Sequence, residues 1–85
     1  MSSARTVTLY TRRDCHLCEE AGEMLAQLAG PMRFTLEAID VDTDGALQAR
    51  YGSSLPVVAV EDKVIAAAPL TQESLRASLS VAFGN

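Results

Sequence analysis

A chain of 85 residues has room for one layered domain and none for a second hydrophobic core, so a single domain over 1–85 is expected. With 48% apolar and 21% charged residues, it falls outside the disordered and fibrous classes. The net charge of −4 creates no field that would gather nucleic acid or anionic lipid, so neither is expected as a partner.

No apolar run is long enough to cross a bilayer, and Met1 to Thr6 are polar rather than patterned as a signal peptide. The expected location is the cytoplasm. In that reducing compartment two cysteines are more often catalytic, metal-binding or buried than joined in a permanent structural disulfide.

The β-rich run Val7-Thr8-Leu9-Tyr10 predicts a first strand that ends in the polar turn Thr11-Arg12-Arg13-Asp14, with Cys15 just beyond it. Leu17, Ala21, Met24, Leu25 and Leu28 then recur at helical spacing, with Glu19, Glu20, Glu23 and Gln27 on the other side. Asp14 is the expected cap of this helix and Gly30-Pro31 its expected end. A second strand is predicted from Phe34 to Val41. Asp42 to Asp44 offer caps for a short helix through Leu47 and Tyr51, closed by Gly52.

Leu55-Pro56 introduces the apolar run Val57 to Val60, Glu61-Asp62 forms a turn, and Val64 to Ala67 returns as a hairpin partner. Past Pro69, Thr71 caps a last helix that buries Leu75, Leu79 and Phe83, with Gly84 just after it. The order β-α-β-α-β-β-α is that of an α/β fold. Its early βαβ unit gives a parallel pair by a right-handed crossover, its hairpin adds antiparallel strands, and helices must cover both faces of the four-stranded mixed sheet.

Cys15-His16-Leu17-Cys18 sets two thiols three residues apart in the first turn of a helix, on neighbouring positions of one face. The unpaired amides there favour negative charge, and Cys15, at the very start, gains most. His16 when protonated and Arg13 with Arg12 add positive potential, opposed in part by Asp14, Glu19 and Glu20. Such surroundings bring cysteine pKa values to roughly 3.5–7.5 from about 8.5. His16 and Arg13 are therefore read as tuning the thiol rather than transferring protons. Tyr10 and Tyr51 are read as packing residues.

The bland readings of the pair are weaker. A disulfide across so small a loop is a poor staple, about 2 kcal/mol in the entropic account against about 3 for a fifteen-residue loop. Zinc needs about four ligands, whereas the chain supplies two cysteines and one histidine wedged between them. Attachment of c-type haem requires a histidine where Glu19 stands. No metal is assigned.

The run Tyr10-Thr11-Arg12-Arg13-Asp14-Cys15-His16-Leu17-Cys18, with Ser54-Leu55-Pro56-Val57-Val58 later, resembles the glutaredoxin family. The Cys-His-Leu-Cys form in so short a chain is similar to bacterial glutaredoxin-like proteins once labelled only as a family of unknown function. The resemblance implies a thioredoxin-like fold and a dithiol–disulfide oxidoreductase working through Cys15 and Cys18. It further implies that Pro56 is a cis-proline facing the thiols, that the Leu55 backbone pairs with a bound thiol peptide, and that Arg12 meets a glutathione carboxylate. The glycine pair and acidic residue that hold the other end of glutathione in that family are replaced by Ala66-Ala67-Ala68-Pro69-Leu70. Methyl groups and a proline without an amide donor obstruct such a site, which turns the expected substrate toward protein disulfides.

The expectation is thus a monomeric enzyme without a tightly bound cofactor. It exchanges protein or low-molecular-weight disulfides and is reset by glutathione or by a reductase. Two alternatives stay open: a thioredoxin-fold protein-binding module with little redox activity, and a dimeric iron–sulfur carrier with Cys15 from each subunit as ligand.

Overall fold

A computed structural model describes residues 5–84; positions 1–4 and 85 of the expected domain lie outside the described residues. The elements in chain order are β1 (Arg5–Thr11), α1 (His16–Met32), β2 (Phe34–Asp40), α2 (Gly45–Tyr51), β3 (Val57–Val60), β4 (Lys63–Ala67) and α3 (Gln72–Ala82), with a 3-10 turn at Val41–Thr43. The sheet order is β2-β1-β3-β4. β1 pairs in parallel with β2, from Arg5 opposite Phe34 to Thr11 opposite Asp40. It pairs antiparallel with β3, from Val7 opposite Val60 to Tyr10 opposite Val57.

The period-two alternation of strands sorts these residues into two layers of core. Val7, Leu9 and Val58 meet Ala21, Leu25 and Leu28 of α1 and Leu75 and Leu79 of α3 on one face. Tyr10, Val57 and Ala59 meet Val41 and Tyr51 on the other. Helices therefore cover both faces, α1 and α3 on one side and α2 on the other, as the element order requires. The Tyr10 and Tyr51 rings stack with centroids 4.3 Å apart. Burial, followed by the neighbouring Tyr51, raises the Tyr10 pKa above its ordinary value.

The hairpin turns on Glu61 and Asp62, with φ of 51° and 66°, the double left-handed geometry whose twist matches that of the flanking strands. A bulge between Val58 and Ala59 sets Ile65 outside the β3–β4 register. Thr71 caps α3 through a reciprocal box with Ser74.

Several local expectations are corrected. Asp14 is not the cap of α1: it takes a left-handed conformation, φ 57°, and the extended residue after it, Cys15, caps the helix. α1 does not stop at Gly30-Pro31 but runs to Met32 and ends at Arg33, φ 60°. Pro31 lies inside the last turn, where the preceding Gly30 has no Cβ to meet its ring. The acidic run after β2 divides its work: Asp40 caps the 3-10 turn and Asp44 caps α2, leaving Asp42 for another partner. Gly52 closes α2 in a right-handed conformation, φ −57°, so backbone freedom does not explain a glycine there. Phe83 lies just past α3 as its C-cap. Leu17, placed by its spacing on the buried stripe, is 56% exposed because it belongs to the first turn of α1, beyond the sheet's end; Cys18 takes the buried position instead.

Candidate functional site

Cys15 lies where β1 hands over to α1, and its capping position follows from its extended backbone, φ −101° and ψ 103°. Its Sγ accepts the Cys18 amide proton at an N···S distance of 3.2 Å. A sulfur at an N-cap thus stands where oxygen acceptors usually do, and a thiolate there would be favoured by the same amide and by the helix dipole. Cys15 and Cys18 form a disulfide with Cα atoms 5.2 Å apart, inside the ordinary range for such bridges. The two sulfurs differ in access: Cys18 is 1% exposed, whereas Cys15 is half-buried.

The structure brings Pro56 to the same end of the sheet. The Leu55–Pro56 peptide is cis, Pro56 is buried, and the β1–β3 ladder begins only at Val57, which leaves the Leu55 backbone outside it. The Pro56 carbonyl accepts the Ala68 amide proton at 3.1 Å, tying the start of β3 to the segment after β4. Ala68–Pro69 is a second cis peptide. Leu17, Glu20, Met24, Pro56, Ala68, Pro69 and Leu70 line a groove of about 360 Å³ with one charged group among apolar ones.

The basic residues are placed differently from one another. Arg12 donates from Nε to Asp42 Oδ2 at 3.0 Å and from NH1 to the Gly52 carbonyl at 3.3 Å. The other Asp42 oxygen accepts from Gln48 Nε2 at 2.8 Å. Arg12 and then Gln48 hold the Asp42 carboxyl below its usual range. Gly52 is required first by the Gln48 carbonyl, into which a Cβ there would be driven, and only then by the Arg12 NH2, 3.2 Å from the same Cβ. His16 is 81% exposed and its Nε2 lies 2.9 Å from Glu20 Oε2, one helical turn on. Arg13 is exposed and makes no hydrogen bond or ion pair among the described residues. Also among the described residues, no three His, Cys, Asp or Glu side chains converge on a point that would hold a metal, and no helix is long and apolar enough to cross a membrane.

With this geometry the comparisons agree. The family model of the glutaredoxin-like domain (DUF836) matches residues 6–80. The chain belongs to that family. The uncharacterized protein Rv0508 of Mycobacterium tuberculosis is 32% identical over 79 residues, covering 87% of this chain and 81% of the relative. The X-ray structure of the protein XcR50 from X. campestris superposes with a TM-score of 0.77 at 36% identity, covering 88% of this chain and 96% of the other. Thioredoxin 1 of Thermosipho africanus shares the fold at 14% identity, with a TM-score of 0.59 over 92% of this chain and 98% of its own. The family member thus carries a thioredoxin-like fold and a cysteine pair at disulfide distance, which fits a thiol redox role.

The sequence reading passed over Asp42, Gln48 and Gly52, and it took Met24 for a core residue only. A signal for the first three was present: an arginine beside the cysteines needs an acceptor, and the acidic run held more carboxylates than two helix starts can use. Nothing local marks Pro69 or Leu70 as lining a groove with Leu17 and Pro56, because the β3–β4 hairpin brings them there.

Proposed function

We propose that this glutaredoxin-like protein is a dithiol–disulfide oxidoreductase in which Cys15 attacks and Cys18 resolves. The observation that carries the reading is the asymmetry of the pair: a half-buried Cys15 at the helix cap joined to a buried Cys18. In the reduced protein the Cys15 thiolate attacks one sulfur of a substrate disulfide. The substrate S–S bond breaks, a Cys15–substrate bond forms, and the first substrate thiolate leaves and takes up a proton. Cys18, deprotonated, then attacks the Cys15 sulfur, which forms the Cys15–Cys18 bond and releases the second substrate thiolate. The substrate gains two electrons and the protein loses two. A thiol reductant, either glutathione or the dithiol of a reductase, returns them.

The apolar groove favours a cysteine-containing peptide segment over a small anionic thiol. In this scheme the Leu55 backbone, which lies outside the ladder, pairs with the segment beside its cysteine, and Pro56 packs against the sulfurs. Arg13, and His16 when protonated, supply positive potential near Cys15. The reading needs no tightly bound cofactor and one chain, and it suits the cytoplasm.

The test is stoichiometric. Prereduced protein is mixed with a peptide closed by a disulfide between apolar flanking residues, and thiols on both partners are counted by mass spectrometry after alkylation. Loss of each peptide disulfide should be matched by one Cys15–Cys18 disulfide, and Cys15→Ser should abolish the exchange. Exchange that persists in Cys15→Ser, or no exchange in the unaltered protein, refutes the proposal.

A further inference from the structure

Arg12 follows β1 directly and precedes Cys15 by three residues. The antiparallel ladder ends with Tyr10 opposite Val57, so Arg12, just past β1, and Leu55, just ahead of β3, both lie at the cysteine end of the sheet. A thiol compound joined to Cys15 and laid along Leu55 therefore has a guanidinium within its surroundings, and a carboxylate on that compound would be drawn to it. The guanidinium is already engaged. Asp42 Oδ2 holds its Nε at 3.0 Å and the Gly52 carbonyl holds NH1 at 3.3 Å. Asp42 is itself oriented by Gln48 at 2.8 Å, and position 52 carries no side chain to push the guanidinium away.

We propose that Asp42 is a specificity-determining residue, a built-in carboxylate that occupies Arg12 and so selects against carboxylate-bearing small thiols at Cys15. The inference rests on the redox reading of Cys15 given above. Two of the five Arg12 donors are taken, so an incoming carboxylate can still approach, but it meets a guanidinium whose charge Asp42 already offsets and gains correspondingly less. With the carboxylate of Asp42 neutralised, the same ligand meets an unanswered charge. Arg12 and Asp42 are 37% and 39% exposed, so water screens the pair and the discrimination is modest, about two- to fivefold.

The experiment is a competition read at equilibrium. Protein carrying Cys18→Ser, alone and combined with Asp42→Asn, is incubated with glutathione disulfide and the uncharged hydroxyethyl disulfide together. The two Cys15 adducts are then quantified by intact-mass spectrometry. Asp42→Asn should raise the ratio of glutathione adduct to hydroxyethyl adduct about two- to fivefold at low salt. The gain should shrink in 1 M NaCl, where the screening length is about 3 Å, and Arg12→Gln added to Asp42→Asn should remove it. Arg13 is present throughout, so its own pull on anions cancels in the comparison. An unchanged ratio with both adducts formed overturns this inference and leaves the redox reading standing. A gain of equal size with a glutathione diester, which lacks the carboxylates, also overturns it. Failure of Cys15 to form any adduct sinks the redox reading and this inference with it.

Discussion

On the α1–α3 side of the disulfide, Leu17, Met24, Pro56, Ala68, Pro69 and Leu70 leave an open, largely apolar groove. On the α2 side the flank is closed by pairing: Arg12 meets Asp42 and the Gly52 carbonyl, and Asp42 in turn meets Gln48. Both flanks draw on residues next to the cysteine pair in the chain, Leu17 between the two and Arg12 three before Cys15, yet one offers surface to a ligand and the other has its charge answered from within the chain. The contrast shows a basic residue ahead of the cysteines whose charge is paired within the chain. It also separates two sources of selectivity: apolar burial, worth about 1.5–3 kcal/mol for a fully covered leucine, and a screened ion pair, worth about 1 kcal/mol or less. The groove should therefore dominate.

The largest expected effect is on the open flank. Leu17→Asp places a charge where a substrate side chain would pack, and the rate with an apolar disulfide peptide relative to hydroxyethyl disulfide should fall roughly tenfold, the loss of about half of a leucine's burial. A ratio that stays level would show that the groove contributes nothing to recognition.

A smaller effect is expected on the closed flank, and it depends on pH. The folded state favours ionised Asp42, so its folded pKa lies below the unfolded one near 3.8. The stability it contributes is full at neutral pH and is lost as pH falls through the folded value. The difference in denaturant midpoint between the unaltered protein and Asp42→Asn should thus be present at pH 7 and be lost once the pH has fallen below the folded pKa of Asp42. A difference that survives there would mean that Asp42 acts by shape rather than by charge.

The smallest effect on substrate choice is predicted far from either flank. Thr71→Ala removes the capping box of α3, which should lower stability by about 1 kcal/mol in urea unfolding and leave the peptide-to-small-disulfide ratio unmoved. A shift in that ratio would reveal coupling between α3 and the groove.

The fold was legible because its signals are local and repeated. Alternation in Val57–Val60, the Glu61-Asp62 turn and the Leu75–Leu79 spacing each name an element, and the βαβ order then leaves few topologies. The pairing of Cys15 with Cys18 was legible for the same reason, since three residues in a helix meet on one face. The flanks were not. Arg12 and Asp42 are thirty residues apart and meet because β1 and β2 run parallel to the same end of the sheet. Pro69 approaches the site only after a hairpin has folded back. Helix ends were misread where two rules compete: Asp14 is a good cap by type, but the left-handed turn it occupies passes the cap to Cys15, and Pro31 is a helix breaker by type, but with Gly30 before it α1 runs on to Met32.

The central claim, attack by Cys15 and resolution by Cys18, is tested most directly by intact-mass spectrometry of the Cys18→Ser protein after brief exposure to a disulfide-closed peptide. The account predicts a stable peptide adduct on Cys15, where the unaltered protein passes on to its internal disulfide and releases the peptide reduced. Absence of that adduct, or an equal yield of adduct through Cys18 in Cys15→Ser, would contradict it.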